Sequence, residues 1–154
     1  MTPAVALAPA TATRPRFTWV ICALALVGVA LSAYTLHLHY KPSGDSFCDI
    51  GDTFNCDIVN QSIYSVFLGI PVSVIGLVGY VLLIALAFMR SRAASWLLFA
   101  AALAALGFSL YLTYIEARLL GTWCLLCLGS LAMITGIAIF SALRLRRPAS
   151  PRPV

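Results

Sequence analysis

Four stretches of this chain run for about a membrane width without one acidic or basic side chain: about residues 17–36, 66–89, 94–115 and 123–143. A helix rises about 1.5 Å per residue and a bilayer's hydrocarbon core is about 30 Å thick, so roughly 20 apolar residues suffice to cross it. Lipid offers no water to a backbone N–H or C=O, so each run must pair its polar groups internally and is a helix rather than an isolated strand. Composition agrees. Of 154 residues, 62% are hydrophobic and 10% charged, against about 45–50% and about 25% in a soluble domain. The expectation is one all-α integral membrane unit with four transmembrane helices.

Charge sorts by side. Arg14 and Arg16 precede the first run, Arg90 and Arg92 separate the second from the third, and Arg144, Arg146, Arg147 and Arg152 follow the fourth. The positive-inside rule puts these eight on the cytoplasmic face, with both termini. Lys41 and Arg118 fall on the other face, as do all five acidic residues, Asp45, Asp49, Asp52, Asp57 and Glu116. The net charge of +5 therefore encodes orientation. It forms no basic stripe with interleaved aromatics, which argues against nucleic-acid binding. The "ALSA" at 30–33 loosely resembles a signal-peptide cleavage site, but the run continues for about a full membrane width and reads as a retained span. Residues 1–16 are read as a disordered cytoplasmic tail, 17–143 as the membrane domain and 144–154 as a basic cytoplasmic tail.

The connections are uneven. A turn of about four residues makes the second and third helices antiparallel neighbours. The first and second are joined by some 29 residues, long enough to expect function there. In that loop "KPSGD" reads as a turn. Asn55 is placed to cap a short helix, with Asp57 in its first turn. Ile58, Val59, Ile63, Val66 and Phe67 approximate one helical face, so residues 56–65 read as an amphipathic half-helix on the outer surface. Pro71 suits a first helical turn.

Five cysteines are present. Cys22 lies alone in the first span and reads as a small hydrophobe. Cys48 and Cys56 lie in the long loop, and Cys124 and Cys127 open the fourth span, all on the non-cytoplasmic face, where disulfides persist. Thr122 is placed to cap the fourth helix. Cys124 and Cys127, three apart, then share a face. A helix N-terminus favours thiolate, and thiolate attack on a reachable disulfide is what exchange requires. Static disulfides are the blander alternative, although a bridge between residues three apart stabilises little. A four-cysteine zinc site fits poorly, because seven residues separate the loop cysteines. Trp123 reads as an interfacial anchor, His37 and His39 as interfacial polar residues, and Tyr111 and Tyr114 as packing or belt residues.

The combination of "CDIGDTFNC" at 48–56, Ser62 six residues after Cys56, "GIPVSVIG" at 69–76 and "WCLLC" at 123–127 resembles the vitamin K epoxide reductase (VKOR) family, over about residues 17–143. The resemblance implies a four-helix bundle around a quinone pocket, capped by the outer half-helix. It implies a relay in which Cys48 exchanges with a separate thioredoxin-fold, DsbA-like partner, Cys56 passes electrons to Cys124, and Cys127 reduces the quinone, which would be menaquinone, ubiquinone or phylloquinone. Ser62 matches the family's hydroxyl position near the quinone headgroup or the half-helix. Leu131 stands where vertebrate members that reduce the epoxide carry a Tyr, and Ser65 near where they carry an Asn. A lost polar contact can dominate discrimination, so quinone reduction in a bacterial inner membrane is the expected activity. A DsbB-type enzyme places its two cysteine pairs in the reverse order. A non-enzymatic membrane subunit would keep both pairs oxidised.

Overall fold

The structure is a computed structural model that describes residues 15–41, 48 and 53–146. Both expected tails beyond those bounds, and the turn at 42–45, lie outside the described residues.

Four long helices pack into one bundle: α1 (Pro15–His39), α3 (Val72–Phe88), α4 (Arg92–Ile115) and α5 (Leu125–Arg146), with a short α2 (Cys56–Gln61) between the first two. α1 packs on α3 and α5, and α4 packs on both as well, so each long helix touches two neighbours. Side chains pointing inward, among them Ile21, Ala25, Leu83, Leu98, Ile134 and Ile137, form the core. Cys22 is buried among them, as a small hydrophobe would be. The outward faces stay apolar, with Trp19, Val78, Leu97 and Ile139 exposed. Lipid is the environment that accepts such a surface.

α1, α4 with its extension to Leu120, and α5 are long and apolar enough to cross a membrane. The second apolar run does not coil throughout. α3 has 17 residues, about 26 Å at 1.5 Å each. The run's first six residues, before α3, form a hairpin instead, in which β1 (Val66–Phe67) pairs antiparallel with β2 (Ile70–Pro71). Leu68 and Gly69 both take positive φ, 52° and 81°, which two-residue hairpin turns require. Pro71 therefore sits one residue before the helix rather than in its first turn. Phe67 meets Phe108 of α4 edge-on at 5.9 Å, holding the hairpin against the bundle.

The expected helix over 56–65 also stops early. Asn55 caps α2 as anticipated, its Oδ1 accepting the Ile58 N–H at 2.8 Å. At Ser62 the backbone turns extended, and its hydroxyl donates to Val59 O at 2.8 Å. A serine that bonds locally to the backbone competes with helix continuation. A single 3-10 turn, Ile63–Ser65, follows. Val59 is buried, while Ile58 and Ile63 are exposed, so the anticipated apolar face does not form as one stripe against the protein.

Two close contacts tie the long helices together. A Cβ on Gly28 would lie 2.3 Å from the Tyr80 ring, so α1 and α3 meet here because residue 28 has no side chain. The Tyr80 hydroxyl donates to Ser130 O at 2.9 Å and also pairs with Ser130 Oγ at 2.8 Å, linking α3 to α5. At the opposite end, the buried Arg144 guanidinium donates to Ala87 O and Met89 O at 3.0 and 2.9 Å. It satisfies carbonyls that the end of α3 leaves open.

Candidate active site

The loop before α2 is zipped onto the start of α5. Asn55 N–H donates to Trp123 O at 3.1 Å, Trp123 N–H to Thr53 O at 3.0 Å, and Thr122 Oγ1 to Thr53 O at 3.3 Å. These bonds bring residues 53–56 beside 122–124. Sequence distance therefore does not separate the cysteine pairs. Cys48, Cys56 and Cys124 are each fully buried in one cluster with Leu38, Val59 and Leu126, and Cys127 packs against it.

Cys48 and Cys56 are joined by a disulfide, with Cα atoms 5.9 Å apart. Cys124 and Cys127 are free thiols. The geometry corrects the expected cap of α5. Thr122 is spent on the loop, and Cys124 takes the capping position. Its carbonyl accepts the first helical bond, from Leu128 N–H at 3.0 Å, and its Sγ accepts the Cys127 N–H at 3.4 Å. Cys127 is then in the first turn, about 4.5 Å further along the axis by helix rise. The Cys127 thiol, hydrogen-bonding to the Cys124 sulfur, holds the Cys124 thiol below its ordinary value. Burial and the neighbouring Glu116 oppose that effect, and the helix N–H groups of Cys127 and Leu126 assist it.

Glu116 was read from the sequence only as one of five acidic residues. It is 2% exposed, and its Oε2 accepts the Cys124 N–H at 3.1 Å. Its Oε1 has no hydrogen-bond partner. A carboxylate oxygen of Glu116 and both sulfurs of the Cys124/Cys127 pair lie within 4.8 Å of one another. Glu116 opens a π-helical turn, Glu116–Leu120, at the end of α4. Such widened turns re-aim side chains and recur at functional sites. Here the turn buries Glu116 while Ala117, Arg118 and Leu119 stay exposed. The available signal was a carboxylate flush against the end of an apolar run, eight residues before Cys124. Three donors of this kind fall short of the four a structural zinc centre uses.

A cavity of about 260 Å³ opens beside this cluster, between all four long helices. Leu83, Phe108, Leu112 and Ile134 give it apolar walls, and Cys127 lines it while Cys124 does not. The volume lies just below the roughly 300–1,000 Å³ typical of ligand pockets, the size of a ring headgroup rather than of a long tail. Ser62 and Ser65 line it, as does Ser130. Leu131 does not; it packs against the bundle core. His39, read as interfacial, also lines the cavity, its Nδ1 donating to Asn60 O at 2.6 Å. The Asn60 side-chain Nδ2 is buried without a partner, and Asn60 is one of the lining residues. Apolar walls with a few isolated polar groups fit a quinone headgroup. Tyr111 and Tyr114 are exposed on the outside, where belt residues belong.

Residues 19–142 match the vitamin K epoxide reductase family. The chain is also similar to vitamin K epoxide reductase complex subunit 1 of Mus musculus, at 29% identity over 136 residues, covering 77% of this chain and 84% of the relative. The subunit of the same name from Rattus norvegicus matches to the same extent. With four cysteines gathered beside an apolar cavity in a membrane bundle, the match over most of the chain leads to one conclusion: this protein belongs to the vitamin K epoxide reductase family of membrane thiol–disulfide oxidoreductases.

Proposed function

We propose that this protein is a disulfide-generating thiol:quinone oxidoreductase of a bacterial inner membrane. All four long helices cross the membrane, both termini are cytoplasmic, and the cysteines act on the extracytoplasmic side. One observation carries the reading. Three buried cysteines share a cluster, and the fourth stands between that cluster and an apolar cavity.

The chemistry is a chain of thiol–disulfide exchanges. A thiolate of a reduced thioredoxin-fold partner attacks Cys48, and Cys56 leaves as thiolate. Cys56 attacks Cys124 of the oxidised helix pair, and Cys127 leaves. The partner's second thiol resolves its bond to Cys48, and Cys48 then attacks Cys56. The loop disulfide reforms and Cys124 is freed. That final arrangement, with the loop pair bonded and the helix pair free, is the one described here. A quinone supplies the acceptor for the two electrons and two protons that the helix pair then gives up. Ser62, Ser65 and Asn60 line the space where its carbonyls would be held, and Cys127 faces it.

Two other readings fare worse. A DsbB-type enzyme belongs to another family and reverses the order of the pairs. A scaffold with structural disulfides would bond Cys124 to Cys127, which are free. Vitamin K epoxide reduction, the activity in the rodent relatives' name, is disfavoured on the resemblance alone, because Leu131 stands where epoxide-reducing members carry a Tyr.

The test is quinol formation by purified protein with a reduced thioredoxin-fold partner and a soluble quinone. Cys127→Ser should reduce it to background. Cys48→Ala should block the partner-driven reaction yet leave reduction driven by a small dithiol, which would attack the helix pair at the partly exposed Cys127. Unchanged quinol formation in Cys127→Ser would overturn the proposal.

A further inference from the structure

We infer that Glu116 is the proton acceptor of the Cys124–Cys127 dithiol, taking a thiol proton as the pair is oxidised and passing it to the acceptor in the cavity. The inference rests on the quinone reading above and assigns a residue to its proton chemistry.

Oxidising the pair forms one S–S bond and releases two electrons and two protons. Converting a quinone to a quinol consumes the same electrons and protons, one proton at each carbonyl oxygen. The electrons move through sulfur, but the protons need a carrier. Cys124 is fully buried, so its proton needs a carrier beside it, whereas Cys127 is only partly buried. Glu116 lies within 4.8 Å of both sulfurs and also lines the cavity that Cys127 faces. It therefore touches both ends of one proton transfer. The second proton exchanges with bulk water.

The carboxyl group is what a structural role leaves unexplained. Accepting the Cys124 N–H needs one oxygen, and Oε2 provides it. An amide would do that as well, without a buried acid whose second oxygen is unpaired. An uncompensated buried charge is expensive to keep. Oε1 accepts no other hydrogen bond, in a carboxyl group that stands beside two thiols. Among the described residues, the other titratable side chains lining the cavity are His39 from α1, Tyr64 from the segment after α2, Tyr80 from α3 and Cys127 from α5. His39 Nδ1 already donates to Asn60 O, and the Tyr80 hydroxyl is committed to Ser130. Glu116 is the one carboxyl among them.

The test uses Glu116→Gln and Glu116→Asp in the full chain. Gln keeps the acceptor for the Cys124 N–H and loses the base. Reduced protein is mixed with quinone in a single turnover from pH 5 to 9, and alkylation of Cys124 is followed separately without quinone. Glu116→Gln should form quinol about 10²-fold more slowly at neutral pH, with the deficit narrowing as pH rises. Glu116→Asp should fall between. Alkylation of Cys124 should be no slower in Gln, and faster if anything, because a neighbouring negative charge has been removed. These opposite directions separate a proton role from a structural one. A wild-type rate and pH profile in Gln would overturn the inference while leaving the quinone reading intact. So would parallel loss of quinol formation, thiol reactivity and thermal stability, which assigns Glu116 to the fold. If the wild-type protein forms no quinol, the quinone reading fails first, and this inference falls with it.

Discussion

Cys124 does two jobs with one sulfur. It caps α5, and it shares a buried cluster with the loop disulfide. A hydrogen bond from the Cys127 thiol lowers the Cys124 pKa, against burial and Glu116. The sign follows directly: a lowered pKa gives more thiolate at neutral pH, and losing the donor reverses the shift. In Cys127→Ala the thiolate of Cys124 should therefore appear at higher pH than in wild type. Cys127→Ser, which keeps a donor, should retain most of the shift. Alkylation rate against pH, read at Cys124 by mass spectrometry, checks this, and identical profiles for Ala and wild type would remove the thiol donor from the explanation. The four cysteines were legible as candidates because their type and spacing carry chemical meaning on their own. Glu116 and the cap were not. A carboxylate's burial depends on the π-turn that aims it, and Thr122 was the better capping residue by propensity. Tertiary bonds to Thr53 outbid that local preference.

The long helices followed from apolar runs free of charge, because lipid leaves few alternatives for such runs. Where the chain leaves that regime, local reading failed. Residues 66–71 are apolar enough to extend α3, yet Leu68 and Gly69 take left-handed conformations and fold the stretch into a hairpin. Ser62 likewise ends α2 by bonding to its own turn. Helix contacts are set by single residues. Gly28 lies against Tyr80 with no room for a Cβ, while a Cβ on Gly79 would meet nothing within 4 Å. Gly28→Ala should destabilise the bundle by about 1–3 kcal/mol, the usual cost of overpacking, and should disturb the Tyr80–Ser130 bonds at the cavity wall. Gly79→Ala should be neutral or stabilising by up to about 1 kcal/mol, as expected when a helical glycine gains a methyl group. Thermal unfolding of both variants in detergent provides the comparison, and equal melting temperatures would contradict the close contact.

The whole molecule places a loop disulfide, a free thiol pair and an apolar cavity in succession at one end of a helical bundle. A loop of some 29 residues would ordinarily be mobile. Here its second half is sewn to the start of α5 by backbone bonds at Thr53, Asn55 and Trp123. That seam puts thiols separated by 68 positions, Cys56 and Cys124, in one buried cluster. No local pattern in the sequence announces the seam; only the family resemblance implied that the pairs would meet. The central claim is that electrons leave the protein from the Cys124–Cys127 pair into a quinone. The most direct measurement is an anaerobic single turnover. Protein reduced at all its cysteines, freed of reductant, is mixed with excess quinone, quenched with acid and alkylating reagent, and mapped by mass spectrometry beside the quinol yield. The account predicts that a Cys124–Cys127 disulfide appears first, with one quinol per bond, before any Cys48–Cys56 disulfide accumulates. Quinol formed without that bond, or a loop disulfide that forms at full rate in Cys127→Ser, would contradict it.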